Sequence, residues 1–261
     1  MVYRMLKDIE ASLRTLAADP VVREFVTSTY VKDADTHFVF ASNRIEHVGT
    51  QTPGGTIAVL NGDTAAVTPT AVTETVQTKA ALDFIKRLWA ETADAAMDAR
   101  ERCLLTEQNL LESHRILMTG LIPYAGRYRD SEAMTHTSRG MFYYVPANRV
   151  QQELQTLVDA FNDRIMASSL SVSDLFSMSA SFLNAFLAIH PFADGNGRVG
   201  RLWVSYILFR CFPFVFSIPF GLRDAYIGSL EMRSDAMVMD VLLDSARLHL
   251  QSITAAVEGR R

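Results

Sequence analysis

The chain has 261 residues, of which 49% are hydrophobic, enough to bury a full core as one large domain or one domain with an N-terminal extension. Its formal charge of -4 gives no electrostatic footprint for nucleic acid. Cys103 and Cys211 lie far apart with no partners at metal-ligand spacing, which predicts reduced, buried thiols of an intracellular protein.

MVYRMLKDIE mixes charges into its first ten residues and lacks an apolar h-region, so no signal peptide is expected. The expected location is the cytoplasm, with secretion through a dedicated effector system left open. The spacing of Met5, Ile9, Leu13 and Leu16 predicts a helix over 5–18. A short helix is expected over 37–48, ending before Gly49. The Thr, Ala, Gly and Pro content of 49–78 predicts a loop with little structure of its own. A long helix is expected from 76 to 99, with Ala80, Phe84, Leu88 and Trp89 as its apolar stripe, and another from 106 to 119, stopped by Gly120.

The β-formers of 141–145, after the turn signal Ser138-Arg139-Gly140, predict a hairpin. Helices follow over 150–166 and 174–189, the latter with Ser171 and Asp174 spaced as a capping box and Pro191 as its stop. Another should start near Gly197, and two more should cover 224–232 and 236–257. The apolar run 202–220 has the length of a membrane span, but Arg210, Pro213 and Pro219 interrupt it; a buried core segment is expected, and no membrane partner. The fold class is therefore all-α with one small β-hairpin. Two regions are expected: a helical N-terminal extension over 1–75 and a catalytic domain over 76–261.

The chemistry concentrates in His190-Pro191-Phe192-Ala193-Asp194-Gly195-Asn196-Gly197-Arg198-Val199-Gly200-Arg201. Gly195 and Gly197 allow backbone N–H groups to converge on an anion at a helix N-terminus. Arg198 and Arg201 share one face of the first turn, against the macrodipole preference for acids there, a conflict that a bound polyanion removes. Asp194 beside phosphates calls for a bridging divalent cation, and His190 is a titratable base near neutral pH. Each residue alone has an ordinary reading as a cap, a turn or a solvated face. Their convergence within twelve residues leaves those readings little room.

This stretch resembles the Fic signature, HPF-x-[D/E]-GNG-R-x-x-R, at every specified position. Gly126-Arg127-Tyr128-Arg129 resembles the Gly-x-aromatic-Arg that leads into that family's flap hairpin. His114 resembles a recurrent, structural helix position, and the similarity extends over roughly 80–255 with a piece near the N-terminus. The resemblance implies the mainly helical Fic fold and AMP transfer from ATP to a Ser, Thr or Tyr hydroxyl of a target protein. His190 would be the general base and Asp194 would hold Mg²⁺, with Mn²⁺ as an alternative. Gly195, Asn196 and Gly197 would hold phosphates, Arg198 and Arg201 would orient the β- and γ-phosphates, and Phe192 would fix the loop. Tyr226 would lie at the adenine pocket, and the target main chain would dock on the flap near 138–145 by β-augmentation.

Ser42-Asn43-Arg44-Ile45-Glu46 resembles the family's inhibitory pattern, [S/T]-x-x-x-E-[G/N], departing from it at His47. The resemblance implies a helix preceding the core whose Glu46 pairs with Arg201 and takes the place of the γ-phosphate, a desolvated pair costing on the order of a few kcal/mol to break one-sidedly. Within the family the alternatives are AMP removal, or transfer of UMP, phosphate or phosphocholine; the intact Gly-Asn-Gly speaks against phosphorylation. Outside it, the alternative is a nucleotide-binding regulatory or toxin–antitoxin module. A homodimer through helix surfaces is also expected to be accessible.

Overall fold

The computed structural model describes residues 2–94, 104–167 and 170–259. Cys103 lies outside the described residues; Cys211 is half-buried. The chain opens with α1 (Val2–Ala18) and α2 (Pro20–Phe25), and a π-helical turn then leads into α3 (Val31–Ile45). Next come α4 (Pro53–Leu60), α5 (Pro69–Asp94) and α6 (Glu107–Met118), then the hairpin β1 (Met134–Thr137) and β2 (Gly140–Tyr143). The C-terminal half holds α7 (Val150–Ala167), α8 (Val172–Ile189), α9 (Asn196–Leu208), α10 (Arg223–Glu231) and α11 (Asp235–Glu258).

Polar caps set the helix starts. Asp19 accepts from the amides of Val21 and Val22 ahead of Pro20, and Thr106 and Ser234 cap α6 and α11. Ser171 and Asp174 form the expected capping box. The hairpin is antiparallel, with Met134 opposite Tyr143 and Thr137 opposite Gly140. Its alternating exposure turns Thr135, Thr137 and Phe142 inward and Met134, His136, Met141 and Tyr143 outward.

Two expectations need correction. Residues 49–78 are not an open loop. Thr52 and Pro53 start α4, with the Thr52 hydroxyl accepting from Gly55 N–H, and α5 begins at Pro69, so a boundary at 75 falls inside a helix. Thr and Gly read as loop residues, yet Thr56, Thr75 and Thr78 are fully buried, with hydroxyls bonded to backbone or to Asn43. The core stripe of α5 is Ala81, Leu82 and Ile85; Phe84, Leu88 and Trp89 are only partly buried. That helix packs against α3, α6 and α9 at once, so burial spreads around it and a one-sided stripe misplaces the register.

The centre of the molecule is α8, packed on α7, α9 and α11. Phe176, Met178, Phe182, Leu183 and Phe186 are its buried face, and α9 is buried nearly all round. The apolar run 202–220 is core: Leu202 to Leu208, Phe212 and Phe214 to Ile218 are buried. Among the described helices α8 is long and apolar enough to cross a bilayer, with half of that window inside the core.

Candidate active site

The C-terminus of α8 delivers His190 and the N-terminus of α9 receives the chain at Asn196, six residues later. His190 takes a left-handed conformation (φ 52°, ψ 61°) and its N–H closes the last turn on Phe186 O at 3.0 Å. Pro191 then prevents helix continuation. Phe192, fully buried, stacks on the His114 ring at 3.7 Å and so pins the loop to α6. His114 in turn contacts the Asp194 carbonyl (3.1 Å) and accepts from Gly126 N–H (2.9 Å).

Asn196 closes the loop from within. Its carboxamide accepts from Phe192 N–H at 2.9 Å and donates to Phe192 O at 2.8 Å, and the residue is 3% exposed. The carboxamide thus braces the loop through one donor and one acceptor. Gly195, at φ 81°, supplies the left-handed step into α9. A Cβ on Gly197 would collide with Glu46 Oε1, so the absence of a side chain there admits the carboxylate to the helix N-terminus.

The two arginines differ. Arg201 is 3% exposed and fully engaged. Its guanidinium donates to Ser42 Oγ (3.2 Å), Ser42 O (2.8 Å) and Tyr226 Oη (3.4 Å), and pairs with Glu46 Oε1 at 2.8 Å. Arg198 is 2% exposed, yet its Nε and Nη1 have no hydrogen-bond partner. Its Nη2 reaches only Met118 Sδ at 3.3 Å and Asp194 Oδ2 at 3.9 Å. A buried guanidinium with two unmatched nitrogens beside a helix N-terminus can receive an anion.

Burial opposes ionisation of Glu46, but Arg201, with Arg198 and Arg223 behind it, holds the carboxyl below its ordinary value, so it is a carboxylate at neutral pH. The Glu46 side chain is 37% exposed, and solvent screens the pair more than a fully desolvated one. Glu46 caps the C-terminus of α3, and His47 follows at φ 59°, a conformation that Gly and Asn adopt most readily. His47 is held there by Arg223, which donates to its Nε2 (2.9 Å) and to Ile45 O (3.0 Å). The departure from Gly or Asn therefore leaves the helix end intact.

His190 is held near pH 4, first by burial and then by the Arg129 guanidinium, so the imidazole is neutral at pH 7 and able to accept a proton. Arg129 is the residue whose role the sequence did not disclose. It is 5% exposed and donates to the carbonyls of His190 (2.7 Å), Ser131 (2.8 Å), Ile189 (3.3 Å) and Val145. It thus ties the end of α8 to both feet of the hairpin. The signal was the Gly-x-aromatic-Arg sequence itself, which gave a place but no partner.

Glu46, His190, Gly197, Arg201 and Tyr226 line one cleft of about 580 Å³, walled by the inner face of the hairpin through Thr135, Phe142 and Tyr144. Tyr226, expected at an adenine pocket, is 1% exposed; its phenol meets Arg201, leaving little of the ring to a base. Among the described residues no three His, Cys, Asp or Glu side chains form a metal cluster. Asp194, its side chain 65% exposed and its Oδ1 accepting from Gly195 N–H, offers one carboxylate at the mouth of the anion site.

The model of the Fic/DOC family matches residues 104–208. A Fido domain-containing protein of Dictyostelium discoideum is 31% identical over 116 residues, 44% of this chain and 76% of that one. Protein adenylyltransferase fic-1 of Caenorhabditis elegans is 31% identical over 136 residues, 51% of this chain, and the match spans only a quarter of that longer protein. Among solved structures, a Fic domain-containing signalling protein of Bacteroides thetaiotaomicron superposes with a TM-score of 0.78 over 97% of this chain and 96% of its own, at 20% identity. Residues 134–508 of the C. elegans protein superpose at 0.77 over 99% of this chain and 73% of that one, at 22% identity.

Proposed function

Because the chain belongs to the Fic/DOC family, we propose that it is a protein adenylyltransferase that moves AMP from ATP to a hydroxyl of a target protein and is held off by Glu46. The observation that carries this reading is the asymmetry of the arginines: Arg198 has unmatched donors, while Arg201 is occupied by Glu46.

In this reading the triphosphate lies along the N-terminus of α9, with the free amides of its first turn and Arg198 as donors. Arg201 would take the terminal phosphate once Glu46 withdraws. Tyr226 and Ser42 keep its guanidinium in place meanwhile, so release requires movement of the glutamate alone. Mg²⁺ fits the site as an ion carried in with ATP, since one carboxylate plus phosphate oxygens is its usual complement. When bound, it would neutralise charge on the phosphates, with Asp194 as its protein ligand. His190, neutral at pH 7, accepts the hydroxyl proton of the acceptor as its oxygen attacks the α-phosphorus; the bond to the pyrophosphate oxygen breaks and pyrophosphate leaves. The acceptor segment would lie along the hairpin, whose open edge can accept another strand.

Incubation with α-³²P-labelled ATP and Mg²⁺ tests the reading. Glu46→Gly should label protein at least about tenfold more than the wild type, as expected when a charged competitor leaves a substrate site. Glu46→Gly/His190→Ala should show no label. Equal labelling of wild type and Glu46→Gly would remove the latch from the reading. A second reading, AMP removal with Glu46 orienting water, is favoured by the partly solvated position of that carboxylate in the same cleft. Release of AMP from a pre-labelled target by the wild type, lost in Glu46→Gly, would select it.

A further inference from the structure

The hairpin does more than wall the cleft. Tyr144, the residue after β2, lays its ring against the imidazole of His190, with centroids 3.9 Å apart and planes within 20°. Tyr144 is itself held from several sides. Its N–H donates to Ala133 O at 3.1 Å, and its ring meets Phe142 edge-on at 5.1 Å. Phe142 lies beneath the Arg233 guanidinium at 3.4 Å, and the hairpin tip is pinned by Ser138 donating to Glu231 at 2.6 Å. A line of contacts therefore runs from the end of α10, through the hairpin, to the proton-accepting ring.

The backbone of His190 is fixed by Arg129, but two side-chain torsions remain, and a base must present one edge to the acceptor hydroxyl within hydrogen-bond reach. A ring stacked on one face of the imidazole leaves little rotation in the second torsion. We propose that Tyr144 is a positioning residue for His190, orienting the imidazole edge into the cleft and linking the placement of the hairpin to the placement of the base. The inference rests on the reading of His190 as the base of group transfer. The stack also keeps water from one face of the imidazole. The charged groups facing His190 are Arg129 from the foot of the hairpin, Asp194 from the loop and Glu46 from the end of α3, and Tyr144 variants leave all three in place.

Tyr144→Phe keeps the ring and Tyr144→Ala removes it. Tyr144 lies outside the hydrophobic core, so both variants should fold, and the titrations of buried His114 and His249 serve as internal controls. In the full-length protein labelled at histidine, NMR titration assigned with His190→Ala reads the imidazole without any substrate. Tyr144→Ala should raise the His190 midpoint by about one pH unit or more towards the ordinary value, with Tyr144→Phe unchanged. In the Glu46→Gly background, Tyr144→Ala should lower kcat about tenfold, leave KM for ATP within twofold and move the acid limb of the pH profile upward. Tyr144→Phe should restore all three. An unaltered titration and unaltered kcat in Tyr144→Ala would overturn the proposal. Absence of AMP transfer in the Glu46→Gly parent would instead sink the adenylyltransferase reading, and the titration would still decide the positioning.

Discussion

At the scale of single residues, Arg198 shows how a site can work against the fold that carries it. A guanidinium that is 2% exposed and lacks partners for two of its nitrogens is expected to cost the fold stability. Arg198→Met, similar in length and free of the unmet donors, should keep or raise the thermal midpoint by a few degrees, on the order of 1 kcal/mol. The same change should weaken ATP binding by about tenfold or more, since charge-assisted bonds to phosphate are lost. Thermal scanning and ATP titration by calorimetry check the two halves. A lowered midpoint would show that the guanidinium has partners in solution. Arg198 was legible in the sequence because motif spacing assigns it; its lack of partners was not, since burial of a charge is decided by what packs around it. Asn196 is the converse case. Its place at the start of α9 follows from the motif, but its bonds do not: a carboxamide has both donor and acceptor, and the Phe192 backbone meets one of each.

Among elements, the α8–α9 pair governs how accurately the loop between them is held. Gly200 sits where these helices approach most closely: a Cβ there would come 2.7 Å from Leu183 Cδ1 and 3.4 Å from Phe186 Cδ1. Gly200→Ala gains helix propensity but overpacks a contact between two buried helices, so a net loss of about 1–3 kcal/mol is expected in urea unfolding. A gain in stability would mean that Leu183 yields freely. The helices and hairpin of the C-terminal half were readable because caps, a proline stop and a β-former run mark them independently of tertiary context. The segment 49–78 was not. Its threonines favour loops in isolation, and only packing of α4 on α3 and α5, with hydroxyls satisfied internally, makes them helical. The Ser42 to Glu46 pattern at the end of α3 was legible, while its support was not: Asn43 bonded to Glu74 and Thr78, and Arg223 on His47, join residues distant in sequence.

For the whole molecule, three histidines that join separate elements titrate near pH 4. His114 links α6 to the loop, His190 ends α8, and His249 of α11 contacts Tyr30 at 2.7 Å and accepts from Ser217 N–H at 3.3 Å. Burial is the first cause for each and holds all three at about 4, against an ordinary value of 6.5. Because the folded values are depressed, the unfolded chain takes up more protons between those limits. Their contribution to stability is complete above about pH 6.5 and is lost as pH falls towards 4. Each adds a slope of at most about 1.4 kcal/mol per pH unit within that window. Urea midpoints should therefore drop steeply between pH 6.5 and 4.5 and change little between 7 and 8. A flat profile through the acid window would place these rings in contact with solvent.

On the proposed reading, Glu46 and the terminal phosphate share one seat at Arg201, and that sharing carries a thermodynamic obligation. Whatever factor the glutamate takes from productive nucleotide affinity, a productively bound nucleotide must take from the closed arrangement of α3, because the coupling between the two occupants is reciprocal. Nucleotide concentration would thus itself be an effector of the proposed latch, and the end of α3 would be a gauge of it. A partner that grasps α3 in its released form would bind more tightly as ATP rises, even with its own contacts unchanged.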